Sequence, residues 1–185
     1  MKNFKDGMLF PTVALVLICF VFTFALSYTY GMTAPLIEKI NQQIADEARS
    51  SVLPDAGSDG FKAIDSSLPD GVTEYFIANN GSGVVITSQN KSFGGIMTVM
   101  TGIDSTGSIT NVTVTAHKDT AGLGTKAMTP DYLAQYSGIA QLDDVASIKA
   151  DTQVDAVSGA TISSNGVYGA VKEALAAYQE LGGVN

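Results

Sequence analysis

Residues 10–30 read FPTVALVLICFVFTFALSYTY, twenty-one residues without a charge. As an α-helix rising 1.5 Å per residue, such a run crosses a hydrocarbon core of about 30 Å. It is read as a transmembrane helix. A cleaved signal peptide is the competing reading, since Lys2 and Lys5 precede the run and Ala25-Leu26-Ser27 resembles a small-residue cleavage site. The run is longer than an h-region of about 7 to 15 residues, which favours the anchor. Lys2, Lys5 and the amino terminus lie before the span, against Lys39 and the more distant Arg49 after it. The positive-inside bias then puts the rest of the chain outside the cytoplasm, with Tyr28 and Tyr30 as ring anchors at the interface.

Beyond the span about 150 of the 185 residues remain, the usual size of one domain with its own core. Leu36, Ile37, Ile40, Ile44, Ala48 and Val52 recur at intervals of three and four, which predicts an amphipathic helix over 33–53 continuing from the membrane. Segments 54–60 and 66–71 are turn-rich. Residues 72–78 and 84–88 read as strands around a glycine-containing loop, and 96–103 and 109–115 as a second, β-branched pair around Asp104-Ser105-Thr106-Gly107. A loop follows over 116–128, then a short helix near 130–136 and a polar stretch. Val167, Val171, Ala174, Leu175, Tyr178 and Leu181 then form a helical stripe that Gly182-Gly183 stops. The expected class is α+β, antiparallel strands with flanking helices on one N-terminal transmembrane helix. The expected division is 1–32 for the membrane segment, 33–60 for the amphipathic helix and connector, and 61–185 for the domain.

Several functions are disfavoured by composition. The net charge is −8, and without residues 1–30 there remain eight basic against seventeen acidic side chains, a surface that repels nucleic acid. Cys19, the single cysteine, lies in the apolar run, so the sequence offers no disulfide framework and no thiolate metal site. With one histidine, His117, a transition-metal site is not expected either. Asp143 and Asp144 lack EF-hand spacing and read as a solvated acidic loop. Ser158 with His117 would be a poor hydrolase pair, because G-x-S-x-G is absent. No residue is assigned a catalytic role.

Chemistry concentrates at residues 155–166, DAVSGATISSNG, where the last helix begins. A helix amino terminus offers unpaired N–H groups and a positive dipole end, so it suits a phosphate. Gly159 and Ala160 allow close approach, and Ser158, Thr161, Ser163 and Ser164 supply hydroxyls. Those hydroxyls serve equally as helix caps. On the residues alone, both readings stand.

Ser158-Gly159-Ala160-Thr161, with Asp155 before it and a hydroxyl-rich helix start after it, resembles the flavinylation motif of a family of FMN-binding domains. That family includes the G subunit of Rnf complexes and the C subunit of sodium-translocating NADH:quinone reductases. The resemblance implies FMN carried as a phosphoester on Thr161, with Ser158, Gly159, Ala160 and Ser163 around it, and a separate flavin transferase that draws the FMN from FAD.

About 35 residues upstream, residues 117–126 read HKDTAGLGTK and resemble the family's H-x-E-T-P-G-L-G segment. Asp119 stands where glutamate is usual and Ala121 where proline is usual, giving a carboxylate one methylene shorter and a less rigid loop. The resemblance implies that this loop lies against the flavin, with Asp119, Thr120, Leu123, Gly124 and Lys126 as non-covalent contacts. On the residues alone, Gly122 and Gly124 are turn glycines, Leu123 a core residue and Lys126 a solvated charge.

The short chain and its leading lysines are closer to the Rnf G subunit than to the longer quinone-reductase subunit. The implied function is electron transfer within a membrane-bound, ion-translocating ferredoxin:NAD oxidoreductase, as a single-pass protein of the cytoplasmic membrane beside other integral subunits. Two alternatives stay open, an anchored FMN-binding domain of another extracytoplasmic electron-transfer system and an anchored surface-binding domain without redox chemistry.

Overall fold

The computed structural model describes residues 9–57, 59–64 and 67–183. Lys2 and Lys5, on which the orientation rests, and Ser58 and Ser66 of the turn segments lie outside the described residues. The chain divides into two compact units, Met1–Ala45 and Asp46–Asn185.

Helix α1 spans Leu9–Val52, 44 residues, and passes through Pro35. Proline lacks the N–H of a helix rung, so one hydrogen bond is missing there. In the first unit its apolar side chains are exposed, among them Phe20, Phe22, Phe24 and Leu26. This stretch is long and apolar enough to cross a membrane. The hydroxyl of Thr29 donates to the Ala25 carbonyl at 2.9 Å, which satisfies a polar group without water.

The second unit is built on an antiparallel meander of five strands in the order β1-β2-β3-β4-β5: Phe61–Ala63, Val72–Ala78, Gly83–Ser92, Gly95–Asp104 and Ile109–Ala116. The expected pairs 72–78/84–88 and 96–103/109–115 are present, joined into one sheet. Two features go beyond the sequence reading. Strand β1 is added at the edge, and β3 continues to Ser92, pairing with β4 up to the Ser92–Gly95 partners. Gln89-Asn90-Lys91 carries little strand propensity, and here tertiary pairing overrides it.

A short helix α2, Pro130–Leu133, is capped by Thr129, whose hydroxyl accepts from the Tyr132 amide. Helix α3, Thr161–Glu180, covers one face of the sheet, where Val167, Val171 and Ala174 join Ile86, Met97, Val99 and Ile103 in a single buried cluster. Ser88 of β3 donates to the Ala170 carbonyl at 2.8 Å. A Cβ on Gly166 would stand 3.0 Å from the Ser92 side chain, so the bare helix surface there sets how near α3 comes to β3. Gly182 and Gly183, both at positive φ, end the helix as expected.

On the opposite face the last turn of α1 and the 3₁₀ turn Pro54–Ala56 bury Val52, Leu53 and Ala56 against Ala78, Val85 and Met100. Arg49 lies 3.8 Å from the centre of the Phe76 ring and pairs with Asp46 at 2.7 Å. A helix leaves its last carbonyls unpaired. Here the Thr110 hydroxyl donates to the Val52 carbonyl and the Asn111 amide to that of Ser51, at 3.2 Å in the second case.

Candidate cofactor site

Helix α3 starts without a side-chain cap. Its N-cap is Ala160 (φ −125°, ψ 28°), and no side chain bonds the first turn from that position. Ser164 turns backward, its hydroxyl accepting from the Val157 amide at 3.0 Å, while its own amide donates to the Ala160 carbonyl at 2.9 Å. Ser158 is exposed and Gly159 takes φ 80°, so the chain enters the helix through a left-handed turn that only glycine adopts without strain. The amides of Thr161, Ile162 and Ser163 find no acceptor among the described residues. The hydroxyl-rich composition therefore does not cap this helix, and its dipole end stays open at Thr161.

The loop from His117 onward is held by Asp119, which is 8% exposed. Its carboxylate accepts from the Ser92 hydroxyl and from the Gly94 amide at 2.6 Å, and the Ser163 hydroxyl faces it from α3. Burial opposes its ionisation, but the hydrogen bonds from Ser163, Ser92 and Gly94, with nearby His117, outweigh it and hold the carboxyl below its ordinary value. Three elements meet on this one group: the β3–β4 hairpin, the loop and α3. Gly124 is packed against it, since a Cβ there would stand 2.8 Å from the Ser163 hydroxyl oxygen. Gly122, at φ 76° with open space around it, is a turn glycine. Leu123 is 49% exposed and so is not a core residue.

Two hollows meet at Gly159 and Thr161. The first, of about 250 Å³, is walled by Phe93, Leu123 and Ile162, with Thr120, Gly124, Ala160 and Ser163 completing it. The second, of about 350 Å³, is polar and includes Lys149, Asp151, Asp155 and Ser158. Lys149 stands on the 3₁₀ turn Ile148–Ala150, which α3 holds in place: the Asn165 side-chain oxygen accepts from the Ile148 amide at 2.9 Å and from the Ser147 hydroxyl at 3.2 Å. Asp151 is occupied by the Tyr168 hydroxyl, 2.9 Å away.

The structure thus gathers Thr120, Leu123, Gly124, Gly159, Ala160, Thr161 and Ser163 around one hollow and sets Ser158 beside the other. Asp119 lies behind the wall as its support. Lys126 is exposed on the 3₁₀ turn Gly124–Met128 and lines neither hollow. The sequence reading missed Phe93, Ile162 and Lys149. Nothing in the sequence marked Phe93, because the extension of β3 to Ser92 that sets it in a turn comes from tertiary pairing. Among the described residues of the second unit, the exposed large apolar side chains are Phe93, Ile96, Leu123 and Ile162, and three of these four wall the same hollow. Such clustering marks a binding surface.

Residues 92–176, from the end of β3 into α3, match the family described as the FMN-binding domain. Three relatives match over most of the chain. The G subunit of the Na⁺-translocating ferredoxin:NAD⁺ oxidoreductase complex of Acetobacterium woodii is 29% identical, over 96% of this chain and 92% of that protein. The G subunit of the proton-translocating ferredoxin:NAD⁺ oxidoreductase complex of Clostridium ljungdahlii is 25% identical over 89% and 88%. The G subunit of the ion-translocating oxidoreductase complex of Methanosarcina acetivorans is 31% identical over 88% and 90%. The chain belongs to this family, the G subunits of Rnf-type ion-translocating oxidoreductase complexes.

Proposed function

We propose that the chain is the electron-transferring subunit of an ion-translocating ferredoxin:NAD oxidoreductase complex, and that it carries FMN as a phosphoester on Thr161. The observation that carries the attachment is the open start of α3: a threonine hydroxyl at its first position, three amides without acceptors among the described residues, and an apolar and a polar hollow on either side. The residues fit the group. A phosphate on Thr161 meets the positive end of the helix, an interaction of about 0.3 to 1 kcal/mol at exposed sites. Lys149 supplies a cation beside it. The walls of the first hollow suit an apolar ring system, and Thr120 offers a hydroxyl at its edge.

FMN, when bound, supplies one- and two-electron redox chemistry. What this chain contributes is position: Thr161 fixes the phosphate end, the uncapped amides face it with Lys149 in the same hollow as Asp151 and Asp155, and the apolar walls exclude water from one side. A separate flavin transferase forms the bond from FAD, so that Thr161 Oγ1 joins the FMN phosphorus, the bond to AMP breaks and the hydroxyl proton departs. Exposure of Ser158 and Gly159 leaves the segment open to such an enzyme. A covalent tether keeps the carrier loaded on the extracytoplasmic side, where free flavin would be lost to dilution. By function we divide the chain into the span (1–32), a connector (33–60) and the carrier domain (61–185). The partners are the other integral subunits of the complex in the cytoplasmic membrane.

The test is made on the assembled complex in membranes. Reduced ferredoxin should bleach a protein-bound flavin that NAD⁺ restores, and Thr161→Ala should abolish both that signal and ferredoxin-dependent NAD⁺ reduction. Full turnover in Thr161→Ala membranes would contradict the proposal.

A further inference from the structure

We propose that Phe93 is the aromatic wall against which the flavin ring packs, and that Asp119 is the positioning residue that holds it there. This rests on the FMN reading above. Phe93 occupies the turn between β3 and β4, and it is 68% exposed although it is a large apolar side chain. Among the described residues it is the one aromatic lining either hollow.

The backbone on both sides of Phe93 is tied to the same group. Ser92 donates its hydroxyl to one Asp119 oxygen, and Gly94 donates its amide to the other, at 2.6 Å. Gly94 lies so close to the Lys118 carbonyl that no Cβ fits, which wedges the hairpin turn against the loop. The Ser163 hydroxyl faces the same carboxylate from the helix turn that also carries Thr161 and Ile162. One buried carboxylate therefore fixes the wall at Phe93 relative to the attachment point at Thr161. An asparagine at 119 keeps the shape but has one acceptor oxygen instead of two, so it cannot accept from both Ser92 and Gly94 in this geometry. A planar aromatic heterocycle is the ligand class that a phenylalanine sharing a hollow with Leu123 and Ile162 receives, through offset ring stacking.

The experiment reads flavin emission per bound FMN in the full chain, coexpressed with a flavin transferase and with occupancy fixed by intact mass. The protein has no tryptophan, so Phe93→Trp introduces a single one. Tryptophan and, less strongly, tyrosine quench an excited flavin by electron transfer only near contact. Phe93→Trp should lower emission several-fold and Phe93→Tyr by less, whereas Phe93→Leu should not lower it. Unchanged emission in Phe93→Trp at equal occupancy would overturn the stacking role. Adding Asp119→Asn to Phe93→Trp should restore part of the emission in a protein with unchanged far-ultraviolet circular dichroism, and persistent full quenching would overturn the positioning role. Should Asp119→Asn fail to fold, Ser92→Ala in the same background removes one of the two hairpin bonds to Asp119 and is read the same way. If the wild type carries no covalent adduct, the Thr161 reading fails separately. Titration of Phe93→Trp with free FMN then decides the stacking role, quenching supporting it and its absence overturning it.

Discussion

Gly124 passes Asp119 so closely that a Cβ built on it would stand 2.8 Å from the Cβ of Asp119. The glycine is therefore a packing requirement of the clamp, not a source of loop freedom. Gly124→Ala should push the loop away from the carboxylate and cost about 1 to 3 kcal/mol, the usual range for overpacking. Thermal unfolding of the full chain, with and without FMN, measures this. Because Gly124 also lines the apolar hollow, the substitution should lower flavin occupancy at the same time.

Asp119 gives the site an acid limit. Its carboxyl is held below the ordinary value in the folded protein, so the unfolded chain takes up its proton first as pH falls. The resulting stabilisation is complete above the unfolded value of about 3.9 and is lost as pH drops through the lower folded value. Urea unfolding between neutral pH and pH 3 should show a fall confined to the acid end. Asp119→Asn should flatten the part of that fall due to this group and cost about 1.5 to 3 kcal/mol at neutral pH, the range for hydrogen bonds to a charged group.

The end of α1 makes a second close approach. The Val52 carbonyl occupies the space above Gly102 of β4 and accepts from Thr110 of β5. Gly102→Ala should cost about 1 to 3 kcal/mol by overpacking, and Thr110→Val a similar amount by leaving the carbonyl unsatisfied. Hydrogen exchange at the amides of residues 49–56 should accelerate in both variants, while amides in the middle of α3 change less.

The α+β class, the sheet pairs and α3 were legible because they rest on local periodicity: Val167, Val171, Ala174 and Leu175 fall on the buried face that their spacing requires. The remainder depends on contacts that sequence distance hides. Ser92 and Asp119 are 27 residues apart, so neither the length of β3 nor the burial of Asp119 follows from its neighbours. The hydroxyls at the start of α3 illustrate the same limit. Composition shows that several are present, but only folding shows that Ser164 bonds Val157, that Ser163 faces Asp119, and that alanine is the N-cap. The polar stretch before Val154 gave no sign that Asn165 would bring Lys149 beside Thr161, because that bond joins segments 17 residues apart.

Peptide mass spectrometry of the chain coexpressed with a flavin transferase tests the central claim most directly. The account predicts an added mass of FMN less water on the peptide containing Thr161, retained in Ser158→Ala and Ser163→Ala and absent in Thr161→Ala. An unmodified wild-type peptide, with the transferase shown to be active on another substrate protein, would contradict it.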